Sequence, residues 1–367
     1  MESILIKDVT NYLESLAPKS LQEAYDNCGL LTGSFDDRVT GILVTLDCTE
    51  GVVEEAIKLR CNLIVAHHPI IFKGLKKLTG QNYVERTIIK AVKNDLAIYA
   101  IHTNLDHVRS GVNKKIAEKI GLLDTKILVP RKNTLCKLVT FVPLNQEASI
   151  LEALHNAGAG QIGNYTNCSF RVAGTGTFLP TDRAIPHVGE PGKIAETAEA
   201  RIEVIFPEHL TNELVGSLKK AHPYEEVAYY ISRLENDNKE VGAGMIGNLP
   251  IEEEPKAFLE RLKLVMNAKC VRYTPLIKRP IKKVAVCGGS GSFLLPNAIQ
   301  AGADAFVSAD FKYHEFFDAD GRILVADIGH FESEQYTKDL LKEVLEEKFP
   351  SFAINFSNTV TNPISYL

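Results

Sequence analysis

Three separated stretches carry side chains of the kind that hold divalent metal ions: the pair His67-His68 in AHHP, Asp106 in IHTNLD, and the couple His330/Glu334 in GHFESEQ. One catalytic ion needs three protein ligands and an open position for water or substrate. Five mixed nitrogen and oxygen ligands suit two ions about 3.5–4 Å apart with a carboxylate between them. The set contains no cysteine, which suits Zn, Mn, Fe or Co without choosing among them.

Each stretch also has an ordinary structural reading. His67 and His68 can be incidental imidazoles at a strand end closed by Pro69, which cannot continue a central strand. On a continuing strand the two rings would point to opposite faces, so a shared site requires the backbone to turn. Asp106 can cap the next helix together with Asn104. Glu334 follows His330 by one helical turn on the same face, which fits a ligand pair and also a carboxylate favoured at a helix N-terminus. Glu332 lies off that face. Asp327 is placed to support His330 from behind, and His102 to stand behind the ligands or pass a proton. Lys73 and Lys76 can meet an anionic group or remain solvated. CGGSGS (287–292) can receive an anion on its amides or pack a helix close to a strand; it is neither GxGxxG nor a Walker loop.

Two of the three stretches follow strongly apolar, strand-like runs, where open α/β sheets place their ligands. In residues 1–125 the strand candidates VTGILVTLD, CNLIVAHHP and AIYAIHTNLD alternate with helical patterns, one opened by a Thr cap in TEGVVEEAIKLR. From about 281 the same grammar returns: KKVAVCGG, DAFVSAD and RILVADIGH read as strands, and ESEQYTKDLLKEVLEEKF as one long helix. The expected fold class is therefore α/β, two α/β halves with mostly parallel sheets forming one metal-binding domain. The middle reads β-α-β-β-α-β, the order of a ferredoxin-like α+β module. The expected domains are 1–127, 128–240 and 241–367.

The chain has 367 residues and a formal net charge of -5. No Lys/Arg block stands out, so no nucleic-acid footprint is expected. No apolar run reaches about 18 residues, so no membrane span is expected. MESILIKDVTNYLESL is an amphipathic helix pattern without signal-peptide features. The seven cysteines are scattered and never spaced CxxC. Reduced thiols in a cytoplasmic protein are expected.

Taken together, AYDNCGLLTG, AHHPIIFKGLKKL, IHTNLDHVRSGVN, CGGSGS, ADFKYHE and DIGHFESEQ resemble the GTP cyclohydrolase 1 type 2 family, also called the Nif-three-like family. The resemblance implies a dinuclear metal site. His67 and His68 would come from its HHP element, Asp106 from HTNLD, and His330 and Glu334 from GHxxxE. It also implies a toroidal homohexamer with sites facing an inner cavity, and GTP ring opening with formate release. Longer members carry an insert resembling the PII/CutA group, and AHPYEEVAYY (221–230) is similar to the CutA-type HPYE stretch. Tyr25 stands where the family often has Trp, and His107 where small residues are common, so His107 can crowd the site or add a ligand. The expected function is a metal-dependent hydrolase with two divalent ions, His102 as a catalytic group, and a small anionic, phosphorylated or nucleotide-like substrate. The alternative is a non-catalytic regulatory or metal-handling scaffold acting through the insert.

Overall fold

The computed structural model describes residues 4–367. They form two compact units, one made of the chain up to Pro130 together with Glu240–Leu367, the other of Arg131–Lys239.

The first unit contains two sheets. In one, the strand order is Gly29–Thr32, Ala97–Ala100, Leu63–Ala66, Ile42–Thr45, Ile354–Phe356. All neighbours are parallel except the first pair. The three central strands read ILVT, LIVA and AIYA and are buried along their whole length. Such continuous apolar runs are what a parallel sheet covered on both faces demands. Their side chains alternate between two cores. Ile42, Val44, Leu63, Val65, Ala97 and Tyr99 enter one. Leu43, Ile64, Ala66 and Ile98 enter the other, beneath the helices Glu50–Leu59 and Tyr83–Lys93. The first of these helices is capped by Thr49, whose side chain accepts from the Val52 amide. The N-terminal helix Ile6–Leu16 buries Ile6, Val9, Thr10 and Leu13, the spacing of one helical face.

The second sheet runs Arg272–Tyr273, Leu324–Asp327, Ala305–Ala309, Ile281–Ser290, Asn238–Glu253, Leu123–Arg131. The strands Ile281–Ser290, Ala305–Ala309 and Leu324–Asp327 pair in parallel; Arg272–Tyr273 and Asn238–Glu253 are antiparallel to their inner neighbours. The expectation of mostly parallel sheets therefore holds for the first sheet and not the second. The two also exchange strands, because Ile354–Phe356 joins the sheet of the N-terminal segment and Leu123–Arg131 joins that of the C-terminal segment. Val284, Val286, Ala305, Val307, Leu324 and Ala326 enter the same core as the first sheet's inner face. Each fully buried Val or Leu among them contributes about 1.5–3 kcal/mol. The expected long last helix is two helices, His330–Glu334 and Thr337–Lys348.

The second unit is a four-stranded antiparallel sheet, ordered Phe170–Phe178, Ala195–Pro207, Leu135–Pro143, Tyr229–Leu234. The helices Glu147–Asn156 and Thr211–Ala221 cover one face, packing Ile150, Leu154, Leu214 and Leu218 against Leu138, Ile202, Val204 and Phe206. Among the described residues, no helix is long and apolar enough to cross a membrane.

Candidate functional site

The C-terminal ends of the parallel strands meet at one place. His67 and His68 directly follow Leu63–Ala66, and their amides donate to the consecutive carbonyls of Thr45 and Leu46. Donation by successive residues departs from strand alternation, and the backbone turn brings both imidazoles to one side, their ring centroids 4.9 Å apart. Asp106 lies in the short helix Thr103–His107, just beyond Ala97–Ala100. It is part of that helix and does not cap the next one. His330 and Glu334 open and close the helix that follows Leu324–Asp327, entered through Gly329 at φ +92°.

Glu334 is the centre of the arrangement, with its carboxylate buried. Its Oε1 lies 3.9 Å from His67 Nε2. Its Oε2 lies 3.0 Å from His68 Nε2 and 3.1 Å from His330 Nε2. Asp106 Oδ1 lies 3.7 Å from His67 Nε2. The set divides into two groups that could hold a metal ion, His67/Asp106/Glu334 and His68/His330/Glu334, with Glu334 in both; His67/His68/His102 is a third.

His67 is 0% exposed, and its Nδ1–H donates to the Ile101 carbonyl at 2.8 Å. Burial above all, with His68 and His102 adding to it, pulls this imidazole down to about 3. It is therefore neutral, with its Nε2 lone pair free. Both His67 Nε2 and Asp106 Oδ1 are buried without a hydrogen-bond partner. Orphaned polar atoms of this kind are costly in a protein interior, and their presence as a facing pair is what a cation would satisfy. Burial, then the Glu334 charge, pushes the Asp106 carboxyl well above its usual range. Glu334 goes the other way: burial opposes its charge, but hydrogen bonds from His330 and His68 prevail and hold it well below.

His68 and His330 are each fixed from behind by a carboxylate. His68 Nδ1–H donates to Asp47 Oδ1 at 2.7 Å, and His330 Nδ1–H donates to Asp310 Oδ2 at 2.7 Å. Burial disfavours both imidazolium forms. For His68 the bonds to Asp47 and Glu334 outweigh it and lift the group to about 10; for His330 those to Glu334 and Asp310 lift it to about 9. Asp47 is itself held by the Thr361 hydroxyl, which donates to Oδ2 at 2.7 Å. His102 Nδ1–H donates to Asp26 Oδ1 at 2.9 Å. Hydrogen bonds from His102 and Thr103 overcome burial to keep the Asp26 carboxyl low.

Several sequence expectations are corrected. Asp327 does not support His330; it holds the Arg272 guanidinium and accepts from the Phe311 amide at 2.9 Å. His107 lines the cavity but joins none of the metal-type groups; its Nε2 pairs with Glu23 Oε1 at 2.8 Å. Lys73 and Lys76 are exposed and do not line the cavity. Glu332, expected off the ligand face, accepts from Asn362. Asp26, Asp47 and Asp310 are absent from the sequence reading, although Asp47 and Asp310 also end apolar runs, VTLD and VSAD.

A cavity of about 890 Å³ opens onto these groups. Its acidic lining is Glu23, Asp47, Asp106, Asp310 and Glu334, and no described Lys or Arg lines it. Tyr25 and Phe72 stack on its wall, ring centroids 6.3 Å apart. Cys287 lies there too, but burial, with Asp106 and Glu334, pushes its thiol up, away from the thiolate a metal needs.

The sequence model of the family Duf34/NIF3 (NGG1p interacting factor 3) matches residues 4–363. A Halalkalibacterium halodurans protein named GTP cyclohydrolase 1 type 2 homolog is 38% identical over 365 residues, 98% of each chain. Its Bacillus subtilis namesake is 37% identical over 376 residues and all of both chains. A crystal structure of a Bacillus cereus protein related to NIF3 superposes over 100% of both chains with a TM-score of 0.88 and 36% identity. The chain belongs to the Duf34/NIF3 family.

Proposed function

We propose that this protein is a metal-dependent hydrolase whose centre holds two divalent ions, one on His67, Asp106 and Glu334 and the other on His68, His330 and Glu334. The observation that carries the reading is the division of Glu334, one oxygen toward His67 and the other toward His68 and His330, beside the two orphaned atoms of His67 and Asp106. When bound, such ions acidify a water to a pKa near 7 and polarise the bond under attack. Asp47 and Asp310 keep His68 and His330 in the tautomer that offers Nε2. Asp26 does the same for His102, so His102 Nε2 is the atom that takes a proton from water or returns it to a leaving group. Tyr25 and Phe72 offer a planar substrate group an aromatic face. A phosphate on the substrate would draw its counter-charge chiefly from the bound cations, since no described Lys or Arg lines the cavity and its other basic groups are imidazoles. A small nucleotide-like or phosphorylated molecule fits these features, in a cytoplasmic homohexamer.

Metal analysis together with hydrolysis assays on GTP and a simple phosphoester tests this. His102→Gln should retain the metal and lose about 10²–10⁴-fold in turnover. Full activity in metal-stripped protein would remove the reading. Asp47→Asn should weaken metal binding by about 10–100-fold, because a histidine ligand without its carboxylate loses basicity and orientation. Calorimetric titration with Zn or Mn measures it, and unchanged affinity would show that Asp47 does not position His68.

A regulatory scaffold acting through residues 131–239 is the second reading. The β-α-β-β-α-β order and antiparallel pairing there support a ferredoxin-like, PII/CutA-like insert, and the unit has a cavity of its own.

A further inference from the structure

The sheet of residues 131–239 has helices on one face only. Its other face, with the loop 181–194, encloses a cavity of about 580 Å³. That volume suits a small organic molecule. The wall is largely apolar, from Phe141, Val172, Phe178 and Val188 among others. One buried charge lies within it. Glu199, 8% exposed, lines the cavity, and its Oε1 accepts from the Tyr224 hydroxyl at 2.7 Å.

Among the described residues, no Lys or Arg pairs with that carboxylate. Arg201 also lines the cavity, but its guanidinium is committed to Glu203, at 3.0 Å from Nε and 2.8 Å from Nη2. Glu225 and Glu226 add acid to the same lining. A buried charge is tolerated when it is paired, and here the pair is incomplete. Two glycines make the room. A Cβ at Gly176 would lie 2.2 Å from Glu199 Oε2, so only glycine lets the carboxylate occupy its place. A Cβ at Gly174 would meet nothing within 4 Å, so packing does not require glycine there and its missing side chain leaves the cavity open.

The HPYEE stretch builds this wall. His222 Nε2–H donates to the Phe141 carbonyl at 2.9 Å, and its Nδ1 accepts from the Tyr224 amide at 3.2 Å, which orients the Tyr224 ring. Glu225 accepts from the Ile185 amide at 2.8 Å and pins the covering loop. An inorganic ion is not the fitting occupant: among the described residues, no three metal-type groups of this unit converge.

We propose that this cavity binds a small organic cation, an ammonium or amidinium group carried on an apolar body, with Glu199 as its counter-ion. The site is independent of the metal centre and of any hydrolase activity.

The test is calorimetric titration of the full-length protein with three probes of similar shape: phenethylamine, the neutral 2-phenylethanol and the anionic phenylacetate. Saturable binding of the amine is expected, at least about 10-fold tighter than the alcohol, the discrimination of one hydrogen-bonded charge pair. Phenylacetate should not compete. Glu199→Gln keeps the side-chain shape and an acceptor for Tyr224, and should abolish the preference for the amine while leaving metal content unchanged. Gly174→Val suits a strand and should narrow the cavity on the wall beside Glu199, weakening amine binding without loss of thermal stability. Equal affinity for amine and alcohol overturns the proposal. So does no amine binding at about 10 mM, where a Kd near 1 mM would be close to saturation. Undiminished amine binding by Glu199→Gln or Gly174→Val overturns it as well.

Discussion

Glu334→Gln is expected to reduce affinity for divalent ions by more than about 100-fold and to leave neither ion bound after dialysis. Loss of a group that merely supports a ligand already costs about 10–100-fold. Glu334 is worth more, because its two oxygens face different histidines, His67 on one side and His68 and His330 on the other. Glutamine keeps the shape but has a single acceptor oxygen, and its amide N–H groups must face an imidazole nitrogen or a cation. The carboxylate's negative charge also disappears from a fully buried position where two ions would share it. The fold should survive, since the substitution is isosteric and the neighbouring histidines can lose their protons once the acid that holds them charged is gone. Metal analysis after dialysis and a thermal melt measure both parts. Two equivalents of metal retained by a folded Glu334→Gln protein would show that this carboxylate bridges nothing.

The ligand-type residues were legible because their chemistry and position coincide. A histidine or carboxylate just past CNLIVA, AIYAI or RILVAD is at the mouth of a parallel sheet, whatever the rest of the fold does. The same rule reaches Asp47 after VTL and Asp310 after VSA, but a lone aspartate at a strand end also reads as a turn or a cap, and its partner is visible only in three dimensions. Asp327 reads as the support of His330 because it ends the strand that leads to it. The Arg272–Tyr273 strand pairs beside it, Arg272 opposite Asp327, and the guanidinium takes the carboxylate instead. Strand exchange was equally hidden, because periodicity marks a strand but not its neighbour: nothing in SFAINFS says that Ile354 pairs with Ile42. The break in the last helix has a tertiary cause. No Gly or Pro interrupts ESEQYTKD, yet Gln335 and Tyr336 donate to the Met266 and Val265 carbonyls where the two helices meet. That break lets the short helix present His330 and Glu334 on its own axis.

A second large effect is expected at Gly289, in the CGGSGS stretch that sequence alone left open between anion binding and close packing. Close packing is what the structure contains. The Ile281–Ser290 strand shifts register between Val286 and Ser290, and Gly289 there adopts φ +57°. Its amide donates to Ser333 Oγ at 2.9 Å and its carbonyl accepts from Ser308 at 3.1 Å, so the backbone cannot drift away. A Cβ added here would lie 2.5 Å from Glu334 Oε1 and 3.2 Å from His330 Cε1. Gly289→Ala therefore has two costs, about 1–2 kcal/mol for the left-handed conformation and the displacement of the carboxylate at the centre of the site. Gly121→Ala separates them: Gly121 has φ +84° and a Cβ there meets nothing within 4 Å, so it bears the conformational cost alone. Urea unfolding and metal titration of both variants should show a similar or larger stability loss for Gly289→Ala and, for that variant only, metal affinity reduced by at least about 10-fold. Wild-type metal affinity in Gly289→Ala would mean that Glu334 can yield by several tenths of an ångström without consequence. The centre would then be a looser arrangement than the close approach of this backbone implies.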